Sequence, residues 1–378
     1  MRFAAFEDFR AAAERRLPRL LFDYIDGGSY DEITAGANVD DFRSLRLRQR
    51  VLADVSNLQL GVELFGQQLA MPVVLAPIGI GGMYAPRGET LAARAAQAAG
   101  VPFSLSTVGV CTIAEVAAAA APPWFQLYML RDRGFVGEML ARAREAGCPV
   151  LIFTIDLPVP GARRRDVRNA MVGGALAGQL RRIADGLAHP GWTWSLYSRG
   201  RPHIPGNIAG IARDLTNLGQ FWGWIGGNFD ASVTWKDIDW VRERWPGPLV
   251  LKGVLDVEDA REAVRCGAQG IVVSNHGGRQ LDGASSTIAA LPAIAEAVGS
   301  DLAVLMDGGV RSGLDVLKAL ACGARACLVG RLWAFSLAAA GQPGVAQMLT
   351  ILRQELRMAM SLTGCTDVNA ADRALLAP

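Results

Sequence analysis

Four charged side chains sit where apolar runs stop. The run GIVVSN (Gly270–Asn275) ends at His276, one of three histidines in 378 residues, and two glycines separate it from Arg279. FTID ends at Asp156, and LVLKG carries Lys252. A histidine at such a position can act as a general base near neutral pH. Asp156 could orient its imidazole and stabilise the protonated form. The planar fork of Arg279 suits a carboxylate. A base beside a carboxylate clamp suggests oxidation, or proton abstraction, at the carbon next to a carboxylate. Lys252 is costly in an apolar setting unless it meets negative charge, so it could form a Schiff base, bind a phosphate or face an anionic ring.

Two further stretches imply an anion. DGGVRSG (Asp307–Gly313) and LVGR (Leu328–Arg331) place glycines and an arginine just before helical segments. Glycine lets the backbone come close to a ligand, and a helix start presents free N–H groups. A phosphate, from substrate or cofactor, is expected there.

The elements that must position these residues alternate. PVVLAP, VPFSLST, WFQLYML, PVLIFTID, PLVLKG, GIVVSN, LAVLMDGG and ACLVGR are short, nearly continuous apolar runs, as strands buried on both faces should be. A helical stretch, or a connection long enough to hold one, follows each. Alternating strand and helix imply parallel strands, and eight units are the count of a (β/α)8 TIM barrel, an α/β fold. A doubly wound sheet is the alternative, weakened by the lack of a Gly-rich fingerprint after the first run. In such barrels the site lies at the C-terminal strand ends. Read in order, those ends carry Pro77-Ile78-Gly79, Ser106, Gln126 with Tyr128, Thr154 with Asp156, Lys252, Ser274 with His276, Asp307-Gly308-Gly309 with Arg311, and Gly330-Arg331.

One domain is expected over residues 1–378. Residues 1–65 form a helical N-terminal cap, 66–160 and 231–378 the barrel, and 161–230 an insertion after the fourth strand. The net charge of +2 does not mark a nucleic-acid binder. Six scattered cysteines without a CxxC pair fit reduced thiols rather than a metal site. No uncharged apolar run reaches the length of a transmembrane helix.

These residues resemble the FMN-dependent 2-hydroxy acid dehydrogenase and oxidase family. SNHGGRQLD is the most specific match, and LPRLLFDYIDGG, LAPIGIGGMYAPRGE, FTIDLPVPGARRRDVRN and MDGGVRSGLDVLKALACGA follow in the family's order. PIGIGGMYAPRGE, PGARRRD and WIGGNFDASVTWKDIDW look like its membrane-associated bacterial branch, which oxidises L-lactate. The resemblance implies FMN as cofactor and conversion of an L-2-hydroxy acid, L-lactate to pyruvate, with electrons passed to a membrane quinone. It also implies a homo-oligomer, with a tetramer suggested. His276 would take the hydroxyl proton, Asp156 would pair with it, and Lys252 would sit near the flavin N1–C2=O edge. Arg163 and Arg279 would hold the substrate carboxylate, although Arg164 and Arg165 adjoin the first of them. Tyr24 and Tyr128 would contact carboxylate and hydroxyl. Pro77, Ile78 and Gly79 would run along the flavin. Ser106, Gln126 and Thr154 would hydrogen-bond the ring, and Ser274 joins the cofactor-binding set. Asp307 would take the ribityl chain. Gly309, Arg311, Gly330 and Arg331 would hold the phosphate.

Some residues depart from relatives. Ile78 replaces a common threonine. Gly79 stands where oxidases carry alanine, which implies slow reaction with oxygen. Val108 stands where glycolate oxidase has tryptophan. The insertion holds nine arginines, four aspartates, no glutamate, and Trp192, Trp194, Trp222 and Trp224. Cation plus tryptophan suits a membrane interface, so peripheral docking on the cytoplasmic face of the inner membrane is expected. Packing of those tryptophans on the barrel as a lid is the plainer alternative. Competing functions are an oxygen-using oxidase, a mandelate-type dehydrogenase, a Schiff-base lyase built on Lys252 and a non-catalytic barrel.

Overall fold

The computed structural model describes residues 3–169, 183–209, 211 and 218–377. Of the insertion, residues 170–182, 210 and 212–217 and the side chain of Trp222 lie outside the described residues.

Each of the eight apolar runs contains one strand of a single parallel sheet. A hairpin of β1 (Val62–Leu64) and β2 (Gln67–Leu69) precedes them. The sheet strands are β3 (Val73–Leu75), β4 (Ser104–Ser106), β5 (Trp124–Leu127), β6 (Leu151–Thr154), β7 (Leu249–Val254), β8 (Gly270–Val273), β9 (Ala303–Met306) and β10 (Ala326–Val329). Each pairs with its successor from β4 to β10, and β10 pairs with β3. The ring closes where Leu75 bridges Phe103 and its N–H donates to Pro102 O at 2.9 Å. The expected (β/α)8 barrel is the observed architecture.

The period of two along a strand explains where the polar residues lie. Val74, Trp124, Ile152, Val250, Val272, Leu305 and Leu328 form one apolar cluster inside the barrel. Their i±1 neighbours, such as Leu151, Phe153, Leu251 and Ile271, belong to a second cluster under the helices. Two residues beyond the interior set come Ala76, Gln126, Thr154, Lys252, Ser274, Asp307 and Gly330. The interior layer therefore turns polar at the C-terminal end, while the outer faces remain apolar.

The other end of the barrel is plugged. The β1–β2 hairpin turns at Phe65 and Gly66, both with positive φ (53° and 76°), as a tight two-residue hairpin needs. Its Val62, Leu64 and Leu69 join the interior cluster, and the Phe65 ring meets Trp124 edge-on at 5.6 Å.

Helices follow the strands as the sequence signals them. Gly88–Ala99 is Ala-rich and stops at Gly100, whose φ of 70° suits a residue without Cβ. Ile113–Ala119 begins with a Thr112/Glu115 capping box. Arg331–Thr363 is two helices meeting at Ala340 and Gly341, just before Pro343. The N-terminal cap holds Phe6–Arg16, Arg19–Asp26 and Ile33–Ser44. Its helical part ends at Ser44, and the chain then runs without helix to the hairpin.

Candidate active site

The polar layer is hydrogen-bonded into two groups. In the first, Ser106 Oγ donates to Gln126 Oε1 at 2.9 Å, and Gln126 Nε2 donates to Thr154 Oγ1 at 3.0 Å. In the second, Lys252 Nζ lies 3.0 Å from Asp307 Oδ2 and donates to Ser274 Oγ at 2.9 Å. That hydroxyl also accepts the His276 N–H at 3.1 Å, so Ser274 joins the lysine to the histidine loop. Burial works against the charge on Lys252, but Asp307 and then Asp156 outweigh it and raise its pKa. Buried and already ion-paired, Lys252 stays protonated, which argues against a Schiff-base nucleophile.

His276, Gly277 and Gly278 all have positive φ (57°, 67° and 73°). This left-handed run turns the chain sharply over the barrel mouth. Asn275 anchors it, exchanging paired amide hydrogen bonds of 2.9 and 2.8 Å with Asn38 of the cap. His276 Nδ1 sits 2.9 Å from Asp156 Oδ1. Burial lowers the histidine's pKa, against the opposing pull of Asp156. Asp156 stays ionised: burial favours its neutral form, but His276 and then Lys252 bring its pKa down. The pair is a neutral imidazole held at one nitrogen by a carboxylate, with Nε2 left to act.

The three consecutive arginines separate cleanly. Arg164 pairs with Asp31 at the surface. Arg165 reaches the cap acids, 2.9 Å from Asp26 and 2.5 Å from Glu32. Arg163 alone lines the main cavity. Its Nε is buried without a partner, and its guanidinium is 3.8 Å from Asp166. Burial first, and the charge of Arg279 second, lower its pKa. The guanidinium carbons of Arg279 and Arg163 lie 4.7 and 5.7 Å from the centroid of the Tyr24 ring. Two half-buried arginines beside one tyrosine, one with an orphaned N–H, make a site for an anion.

A cavity of about 510 Å³ joins these groups. Its wall includes Tyr24, Tyr128, Arg163, His276 and Arg279, then Pro77, Ile78, Gly79, Thr154, Lys252 and Asp307, and also Gly309, Arg311, Gly330 and Arg331. Asp156, Ser106, Gln126 and Ser274 are not on the wall; they support it through the hydrogen bonds above. Arg311 and Arg331 are half-buried, and desolvation brings their pKa down to about 10 and about 9. Arg331 donates to the carbonyls of Ile25, Gly277 and Gly27, each at 2.9 Å, so it also fastens the cap to the histidine loop. Two of its five N–H groups remain for a ligand. Gly309 is obligatory: its φ is 83°, and an added Cβ would stand 1.9 Å from Asn38 O.

Several site residues carry no sequence signal of their own. Tyr84 donates to Gly79 O at 3.1 Å and steadies that turn. Asp166 is buried in the wall, where burial raises its pKa against the pull of Arg279 and Arg163. Phe229, at the end of the insertion, lies 5.1 Å from the Tyr128 ring. Each is an ordinary core-type or loop residue in sequence, brought in only by tertiary packing.

A family model described as FMN-dependent dehydrogenase matches residues 13–378. The chain belongs to that family. FMN is accordingly its cofactor. An L-lactate dehydrogenase of Caulobacter sp. (strain K31) is 57% identical over 98% of this chain and 97% of its own length. One of Stenotrophomonas maltophilia (strain K279a) is 56% identical over 96% of each. Among solved structures, the monotopic membrane protein (S)-mandelate dehydrogenase superposes with a TM-score of 0.93 at 34% identity over the whole of both chains. Mandelate oxidase with (S)-4-hydroxymandelic acid gives 0.86 at 41% identity, covering 98% of each chain.

The cavity of this family member fits FMN. Two half-buried arginines that form no salt bridge among the described residues, beside Gly309 and the helix start at Gly330, suit the phosphate. The orphaned, buried Oδ1 of Asp307 suits a ribityl hydroxyl.

Proposed function

We propose that the protein oxidises an L-2-hydroxy acid, L-lactate to pyruvate, and delivers the electrons to a membrane quinone. The observation that carries this reading is the His276–Asp156 pair sharing a cavity with Arg163 and Arg279. Bound FMN supplies the two-electron acceptor. Its ring would lie along Pro77–Gly79 with Lys252 beside it, and its phosphate at Gly309, Arg311, Gly330 and Arg331.

The protein's own groups do the rest. Arg163 and Arg279 hold the substrate carboxylate by charge-assisted hydrogen bonds. Neutral His276 takes the hydroxyl proton at Nε2, and the ionised Asp156 stabilises the imidazolium that forms. With carboxylate and hydroxyl both fixed, the hydrogen on C2 has one direction left. In the D isomer the hydrogen and the C2 substituent exchange places, so that isomer presents its substituent instead. Names of relatives divide between lactate and mandelate, and the high identity of the lactate enzymes favours lactate.

The pH dependence tests the base. His276 must be neutral to act, and burial lowers its pKa from 6.5. Activity is therefore complete above that pKa and falls as pH drops through it. We expect kcat/KM for L-lactate to show an acid limb centred below 6.5. Asp156→Asn removes the partner that raises this pKa, so the limb moves further to acid while the rate falls. A limb centred well above the ordinary histidine value, unmoved by this substitution, would remove His276 from the base role.

Peripheral docking at the cytoplasmic face of the inner membrane is part of the proposal. No helix among the described residues is long and apolar enough to cross a membrane. Trp192 packs on the barrel, its Nε1–H donating to Met83 O at 2.8 Å. Trp194 is 71% exposed, in the same segment as exposed Ile183, Leu187 and Tyr197. Such a set suits an interface with lipid. Replacing Leu187 and Trp194 by aspartate is expected to release the protein from sedimenting anionic vesicles and to slow reduction of vesicle-borne quinone. Undiminished sedimentation would remove the docking surface from the account.

A further inference from the structure

The phosphate end of the main cavity adjoins a second one. This second cavity measures about 450 Å³ and shares Gly309, Arg311 and Arg331 with the first. Its other walls come from the helices Phe6–Arg16 and Ile33–Ser44 and carry the acids Glu7, Asp26, Asp315 and Glu355 along with Arg10 and Arg43. Residues 6–12 of that helix precede the region matched by the family model, which begins at residue 13.

Arg311 stands on the boundary. Its guanidinium carbon lies over the Phe6 ring, 4.4 Å from its centroid. One N–H donates to Val310 O at 2.9 Å. The Phe6 ring is itself braced edge-on by Phe335 at 5.7 Å. The helix carrying it is fixed by the two-point pairing of Arg10 with Asp26, at 2.7 and 2.8 Å. A long side chain beside an open cavity lined by four carboxylates has somewhere else to go. Contact with the ring holds the guanidinium at the wall shared by the two cavities.

We propose that Phe6 is a positioning residue for the cofactor phosphate: its ring holds Arg311 in place against the acidic second cavity. The proposal rests on the reading that Arg311 binds the phosphate. It assigns the N-terminal helix a part in retaining FMN.

The test compares two flavins on the full chain. FMN and riboflavin differ only in the phosphate, so riboflavin affinity reports the fold and the ring site. Phe6→Leu is expected to raise the dissociation constant of FMN roughly 3- to 30-fold, read by flavin fluorescence, and to leave that of riboflavin unchanged. Phe6→Trp, which keeps an aromatic face, is expected to restore most of the FMN affinity. Equal weakening of both flavins by Phe6→Leu would make the residue merely structural and overturn the proposal. Arg311→Met separates the two readings. If it weakens FMN selectively while Phe6→Leu does not, the phosphate reading stands and the role of Phe6 falls. If Arg311→Met has no selective effect on FMN, the phosphate reading falls and takes the proposal with it.

Discussion

His276→Asn lowers kcat for L-lactate by roughly 10²- to 10⁴-fold near neutral pH, with FMN still bound and the thermal midpoint little changed. Asparagine is chosen because position 276 has a φ of 57°, and asparagine tolerates the left-handed region better than most residues. The loop keeps its other anchors, since the Ser274 hydroxyl accepts the backbone N–H of residue 276 and Asn275 pairs with Asn38. The imidazole is lost, and with it the proposed acceptor for the hydroxyl proton and the hydrogen bond to Asp156. KM is expected to change little, because in the proposed function Arg163 and Arg279 hold the carboxylate. Single-turnover reduction of the flavin under anaerobic conditions measures the effect directly. A loss of less than tenfold in that step would assign the proton to another group.

Lys252→Met has a different signature. The ammonium is buried, 3.0 Å from Asp307 Oδ2 and 2.9 Å from Ser274 Oγ. Methionine matches its length and leaves the Asp307 carboxylate without its cation, a change that costs about 3–5 kcal/mol in a buried pair. Lys252 also holds down the pKa of His276, after the larger effect of burial. Its loss therefore moves the acid limb of kcat/KM toward neutral pH. A cation beside the ring also favours the reduced flavin, so the midpoint potential falls. Chemical denaturation, the pH profile and a potentiometric titration read the three effects separately. A variant with wild-type stability and an unmoved acid limb would mean that Lys252 is not coupled to the site in this way.

Much of this site is legible in sequence for one physical reason. A barrel strand is buried on both faces, so a polar residue at its C-terminal end is conspicuous against the run before it. Lys252 after LVL and His276 after GIVVSN are the clearest cases. The same alternation predicts that Gln126, Thr154, Ser274 and Asp307 share one layer, because each lies two residues beyond an interior apolar side chain. What was not legible depends on contacts between distant segments. Nothing in ARRRD says which arginine enters the cavity; Asp31 claims Arg164, and Asp26 with Glu32 claims Arg165. The Asn38–Asn275 pair spans the cap and the sixth barrel strand, and neither asparagine stands out alone. The hairpin that plugs the barrel falls at the expected boundary between cap and barrel, where short alternating strands give a weaker signal than the helices before them. Asp166 and Phe229 are drawn in by the folding of the insertion, whose order local sequence does not encode.

This chain uses FMN to oxidise an L-2-hydroxy acid, with lactate as the substrate. An anaerobic visible spectrum of the purified protein, before and after adding L-lactate, tests it most directly. The expected result is a flavin spectrum that bleaches with L-lactate and is unmoved by the D isomer. A flavin spectrum that neither isomer changes, in protein able to rebind FMN, would contradict the assignment of lactate.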